Sequence, residues 1–224
     1  MLRRRLTAAA AAAAVLAAAA SAPANATGDL AVRALTLASG LTQCGVFPGE
    51  QLWQAGSTLE TYASLSVALQ QPQLYAALFQ AIYDVTPVIV ATCYDDHQWW
   101  LLGWVRAFEA TGSVAYLERA AAIHDYVATN GWETTICGGG VTWCPKPTNP
   151  YKNAITTELF ITASARLHVH AAALPKYPAG HFLGWATQAW GWLAGSGMIN
   201  NASLVNDGLN APACTNNGQT TWSC

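Results

Sequence analysis

Charge is scarce in this sequence. Only 10% of its residues are Asp, Glu, Lys or Arg, and nowhere do the basic ones gather into a patch that would hold nucleic acid. Three of the ten Lys and Arg are Arg3, Arg4 and Arg5, so the rest of the chain sets seven against twelve Asp and Glu and is mildly acidic. No C-x-x-C spacing occurs, which argues against zinc held by cysteines. The longest apolar run is mostly alanine and falls short of a membrane-spanning helix. Apolar–polar alternation is rare too, and that argues against a core built from strands.

What is present begins with a leader. A basic start, an Ala-rich apolar run with Val15 and Leu16, and Ala24-Asn25-Ala26 have the order of a secretory signal with an A-x-A cleavage site. The expected division is a signal peptide over 1–26 and one domain over 27–224, long enough for a sizeable core. The mature product is then secreted, extracellular or in a cell wall. All six cysteines follow the leader, and an even count in an oxidising compartment favours disulfides. Cys137 with Cys144, closing "CGGGVTWC", is the easiest pairing to picture. Asn201 opens an N-A-S glycosylation sequon. Ten Trp and eight Tyr beside so few charges suit a neutral, hydroxyl-rich ligand such as a sugar, although aromatics also fill cores.

Spacing predicts helices over 52–69, 73–85, 95–111, 114–129, 154–173 and 180–194, with Pro72 starting the second and Asn130-Gly131 stopping the fourth. Tyr75 and Tyr116 align in a weak repeat 41 residues apart. Repeated helical hairpins imply a solenoid or a closed ring. The fold class expected is all-α. Between the fourth and fifth helices lies "ICGGGVTWCPKPTNPYK", a long Gly- and Pro-rich loop of a kind that is often functional.

The chemistry centres on "CYDDHQWWLLGWVRAFEATG". Trp100, Trp104 and Phe108 recur at helical spacing and belong to the core. Asp95 and Asp96 stand at the helix start, where acids cap free N–H groups and complement the dipole. Capping alone accounts for them; a working pair is the other reading. Glycoside hydrolysis needs two carboxylates, one to attack the anomeric carbon and one to protonate the leaving oxygen. Adjacent acids suit the spacing of about 5–5.5 Å found in retaining enzymes better than the wider gap of inverting ones. The helix N-terminus keeps one carboxylate negative, and that charge raises the pKa of the other. Tyr94, His97 and Trp99 would line the same rim. Asp95, Asp96 and His97, consecutive on a helix, do not converge on a metal; His124, His168 and His170 read as core or surface residues. No metal and no cofactor are expected.

In order, "YDDHQWWLLGWVRAFEATGSVAYLERA", "GWETTICGGGVTW", "YKNAITTELFITASARLH" and "VNDGL" resemble glycoside hydrolase family 76, the endo-α-1,6-mannanases and their fungal cell-wall relatives. The resemblance runs from about Leu52 to Trp222. It implies antiparallel helical hairpins forming part of an (α/α)6 toroid, and retaining hydrolysis of α-1,6-mannosidic linkages in mannan. Asp95 would be the nucleophile and Asp96 the general acid/base. Gly139 and Gly140, in the Gly138–Gly140 turn, would let backbone approach a sugar closely. Lys152, Asn153, Glu158 and Asp207 match family positions and would line the cleft. Thr157 stands where the family usually shows Asn. The family continues past "CTNNGQTTW" into "TYNQG" and further helices, whereas this sequence stops at Ser223-Cys224. About half of the toroid is therefore expected, an incomplete N-terminal portion with exposed apolar faces, and such a shortening could abolish activity. Two further functions are compatible: a wall transglycosidase passing mannan to a sugar acceptor, and a non-catalytic wall-binding protein. Terpene cyclisation ranks low, because a D-x-D-D motif is missing.

Overall fold

The computed structural model describes residues 52–89, 92–145 and 151–220. The expected leader, Cys44 and Cys224 lie outside the described residues. Six α-helices follow in order: α1 (Leu52–Ala68), α2 (Ala76–Val85), α3 (Tyr94–Thr111), α4 (Val114–Asn130), α5 (Ala154–Val169) and α6 (His181–Gly195). Two boundaries differ from expectation by more than one residue. Pro72 lies in a turn and α2 starts only at Ala76, while α5 ends at Val169 and the last residues predicted for it form a separate 3-10 turn, Ala171–Ala173. Gly112 stops α3 cleanly: at φ 74° it takes the left-handed conformation and donates its N–H to the Phe108 carbonyl at 2.7 Å.

α1 and α3 touch almost backbone to backbone. A Cβ on Gly56 would lie 2.6 Å from the Trp100 nitrogen, and one on Gly103 would lie 2.8 Å from the Gly56 carbonyl oxygen. Further along, Arg106 Nε donates to Ser64 Oγ at 3.1 Å. Because these contacts advance together along both helices, α1 and α3 run parallel. α3 and α5 do likewise: Gln98 Nε2 donates to the Thr156 carbonyl at 2.9 Å, and Arg166 reaches Glu109 at 3.2 Å. Arg166 also meets Glu60, midway along α1, at 2.7 Å, so one guanidinium ties the three odd-numbered helices together.

The core lies between these helices and their return partners. Trp104 is fully buried and stacks on Trp100 at 6.2 Å and on Tyr116 at 5.4 Å. The two tyrosines of the repeat have matching places: Tyr75 packs on Tyr62 of α1 at 4.7 Å, as Tyr116 packs on Trp104 of α3. α6 shows Leu183 and Trp190 to solvent, 48% and 55% exposed, two turns apart. Among the described residues, no helix is long and apolar enough to cross a membrane.

A small sheet, absent from the sequence reading, braces the end where the odd helices begin. β1 (Lys152–Asn153), β2 (Gly208–Asn210) and β3 (Thr215–Asn216) pair antiparallel in that order, with Lys152 opposite Leu209 and Leu209 opposite Asn216. Two disulfides pin the same end, Cys93–Cys144 and Cys137–Cys214. The Cys137–Cys144 pairing is thus overturned. Each cysteine of the Gly-rich loop faces a different partner, one at the start of α3 and one in the turn after β2.

Candidate active site

Asp95 and Asp96 occupy the first turn of α3. The residues just before and within that turn are fastened to the Gly-rich loop. The Cys93–Cys144 bond joins the two segments, and the Tyr94 N–H donates to the Trp143 carbonyl at 2.8 Å. Trp143 in turn donates its own N–H to Tyr151 at 2.8 Å, next to β1. This framework aims the Trp143 side chain at the acids, and its Nε1 donates to Asp95 Oδ2 at 2.8 Å. The second oxygen, Asp95 Oδ1, accepts the Asp96 backbone N–H at 2.9 Å. Both oxygens of Asp95 are therefore held, and the carboxylate has one orientation.

The two acids differ electrostatically. Burial raises the Asp95 carboxyl above its ordinary value, and the hydrogen bonds from Trp143 and from the backbone pull it back. Asp96 is pushed up to about 6, first by burial and then by the charge of Asp95. Beside them, burial holds the His97 imidazole below its usual range. Its Nδ1 donates to the Cys93 carbonyl at 2.8 Å, which makes it a neutral support of the helix start. The pair thus sets one carboxyl oriented by hydrogen bonds beside one acid that keeps its proton into the mildly acidic range.

Trp99 lies half-buried on the same turn, with its ring 6.4 Å from that of Trp53, which is 48% exposed. Trp143 is itself 38% exposed. Three indoles thus lie at this end, on α1, on α3 and on the Gly-rich loop, and they offer flat apolar faces there. Tyr94, expected on the rim, is only 2% exposed, and its hydroxyl donates to the Asn130 carbonyl at 2.9 Å. Its ring packs inward because residue 94 faces α4.

The other expected residues form the floor and walls. Lys152 is 1% exposed, and its ammonium donates to the carbonyls of Glu133 at 2.9 Å and Gly140 at 2.5 Å, which locks the Gly-rich loop over β1. Asn153 is buried and accepts the Thr156 hydroxyl at 2.6 Å, while Thr157, also buried, leaves its hydroxyl without a partner. Asp207 accepts the Tyr151 hydroxyl at 2.5 Å, and Asn217 donates to that hydroxyl at 2.6 Å. Asp207 is therefore linked through Tyr151 and Trp143 to Asp95. Glu158, half-buried in the first turns of α5, has a carboxyl raised by burial and makes none of these links. The glycines have a different use from the one expected. A Cβ on Gly139 would lie 2.7 Å from the Trp192 indole and one on Gly140 closer still, so the close approach is to a side chain of α6. Asn201 is exposed in a turn after α6.

A family model described as Glycosyl hydrolase family 76 matches residues 18–224. The chain belongs to this family. Solved structures similar to this family 76 chain include a family 76 glycoside hydrolase from a bovine Bacteroides thetaiotaomicron strain, at 22% identity and TM-score 0.60, covering 73% of this chain and 38% of that one. A family 76 mannosidase from Bacteroides thetaiotaomicron aligns at 18% identity and TM-score 0.59, over 73% of this chain and 49% of that one. An α-1,6-mannanase from Salegentibacter aligns at 19% identity and TM-score 0.55, covering 73% and 48%. Comparison with curated protein sequences gave no match. The helical hairpins of this chain match part of the family's helical toroid, and the chain spans less than half the length of each of these structures.

Trp143, Trp53 and Trp192 are the side chains that motif reading passed over. Trp143 had a signal in the sequence, since it sits one residue before Cys144 just as Asp95 sits two after Cys93. Only the correct disulfide pairing turns that spacing into contact.

Proposed function

We propose that this family 76 chain carries the acid pair of a secreted glycosidase that cleaves α-1,6-mannosidic linkages of mannan with retention. Asp95 is the nucleophile and Asp96 the general acid/base. The observation that carries the reading is the unequal treatment of two adjacent carboxyls. Asp95 is oriented at both oxygens by hydrogen bonds, while Asp96 is pushed up to about 6. In the first step an Asp95 oxygen bonds to the anomeric carbon as the bond to the leaving oxygen breaks, and that oxygen takes the Asp96 proton. In the second, Asp96 removes a proton from water, whose oxygen displaces Asp95 and releases the sugar. Trp99, Trp53 and Trp143 offer faces for sugar rings. Lys152, Asn153, Gly139, Gly140, Tyr94 and Asp207 act from beneath, by fixing the loop and sheet that hold Trp143 in place.

The test is incubation of the purified, disulfide-intact chain with linear α-1,6-mannan beside an Asp95→Asn control, with the anomer of the first products read by NMR. Release of oligosaccharides with retained configuration, lost in the control, is expected. Because the acid must be protonated to act, kcat/KM should fall as pH rises through about 6. No release by the unaltered chain, or equal release by the control, overturns the proposal. Longer products on adding an acceptor oligosaccharide would assign the same intermediate to a transglycosidase. Mannan binding without cleavage, unchanged in the control, would assign a wall-binding role.

A further inference from the structure

Away from the aspartates, α4 and the first turn of α6 bring two imidazoles and a carboxylate together. Among the described residues, His124, Asp125 and His181 place their candidate ligand atoms within 4.8 Å of one another. His124 is fully buried, its ring stacked on Phe160 at 4.9 Å and met edge-on by Phe182 at 5.1 Å. Its protonation can be worked out. The Ser164 hydroxyl donates its only proton to the Phe160 carbonyl at 2.7 Å, so at 2.9 Å from His124 Nε2 it can only accept. Nε2 therefore carries the hydrogen, and Nδ1 presents a lone pair.

That lone pair has no partner, and neither does His181 Nε2; both atoms are shielded from solvent. Each lies 3.9 Å from Asp125 Oδ1, too far for a hydrogen bond. Asp125 Oδ2 accepts the Tyr177 hydroxyl at 2.6 Å, so Oδ1 is the oxygen turned toward the imidazoles. Two acceptors, Nδ1 and Oδ1, thus face one gap with a second imidazole beside them. As placed, none of the three is within hydrogen-bond distance of another, and a cation satisfies all of them at once. We propose that His124 Nδ1, Asp125 Oδ1 and His181 Nε2 bind a divalent transition-metal cation of the zinc class.

Two imidazoles and one carboxylate are a donor set that zinc accepts, with bonds of about 2.0–2.2 Å. Closing the 3.9 Å separations around such an ion takes shifts of a few tenths of an ångström, and the two imidazole nitrogens, within 4.8 Å of each other, close by at most about 1.5 Å. Asp125 and His181 are 44% and 29% exposed, which leaves a way in from one side. Ser164 and Tyr177 orient the imidazole and the carboxylate, as outer partners of metal ligands do. Lys176, over the Tyr177 ring at 4.8 Å, offsets part of the Asp125 charge and weakens the site without closing it. The ion would clip the connection between α5 and α6 onto α4.

The test uses the tag-free chain with disulfides intact, stripped with chelator and titrated with Zn²⁺ against a chromophoric indicator, then with Co²⁺ for its visible absorption. One equivalent should bind, with the Co²⁺ spectrum of a low-coordinate nitrogen–oxygen site. His181→Gln and Asp125→Asn, at partly exposed positions, should lose that equivalent while keeping the unaltered circular dichroism. Tyr177→Phe should weaken binding by about 10- to 100-fold. Less than one equivalent in the unaltered chain, as a water-filled gap would give, overturns the proposal. So does one equivalent kept by both ligand variants, since that ion is bound elsewhere.

Discussion

Replacing Asp96 with asparagine removes the carboxyl held furthest from its ordinary state, and the structure fixes both the sign and the size of the effect. In the fold the Asp96 carboxyl moves from 3.8 to about 6. The folded chain therefore keeps this proton to higher pH than the unfolded chain does, and it loses stability as pH rises from about 4 to about 6. A shift of roughly two units corresponds to about 3 kcal/mol at most. Asp96 is only half-buried, so solvent screening reduces this to roughly 1–2 kcal/mol. Asn keeps the shape and never ionises. The Asp96→Asn chain should therefore be about 1–2 kcal/mol more stable than the unaltered chain near pH 7, a rise of about 3–6 °C in Tm. Near pH 3.5 the gain should vanish, because Asp96 is then largely protonated in the fold and in the unfolded chain alike. Urea unfolding at the two pH values measures this, and mannan hydrolysis on the same samples should be lost. A variant no more stable near pH 7, or one whose gain persists near pH 3.5, refutes the argument that the pair is strained by burial and mutual charge.

Three other variants probe the framework. Trp143→Phe removes the donor to Asp95 Oδ2, a charge-assisted bond of about 1.5–3 kcal/mol. Hydrolysis should drop roughly ten- to a hundredfold, and the low-pH side of the rate profile should move up as Asp95 becomes harder to ionise. Gly56→Ala drives a Cβ to 2.6 Å from the Trp100 nitrogen, and overpacking of this kind costs about 1–3 kcal/mol, visible as a lower urea midpoint. Cys93→Ala with Cys144→Ala opens a bridge that spans 51 residues of sequence, and a loss of about 2–4 kcal/mol is expected in thermal unfolding.

The helices were legible because their signals are local: apolar side chains at helical spacing, a glycine at 112 that alone suits the left-handed stop, and a turn at Asn130-Gly131. The family was legible from four motifs in order. What escaped the sequence is decided by distant chain segments. Cys144 could be paired only by knowing that its loop folds back on the start of α3, and strands of two or three residues carry too little pattern to read. The Gly138–Gly140 run announced a close approach but not to what; Trp192, from a helix more than forty residues on, fills that space. Likewise Lys152 and Tyr94 matched motif positions, but their inward direction comes from what packs around them.

The buried ammonium of Lys152, 1% exposed and capped by two carbonyls, has a practical use. Amine-acylating reagents can reach it only in moments when the Gly-rich loop lifts from β1. The rate at which this lysine is tagged, followed by peptide mass spectrometry, would clock the opening of that loop in the native protein without any engineered probe. A bound oligosaccharide that clamps Trp143 would slow the clock.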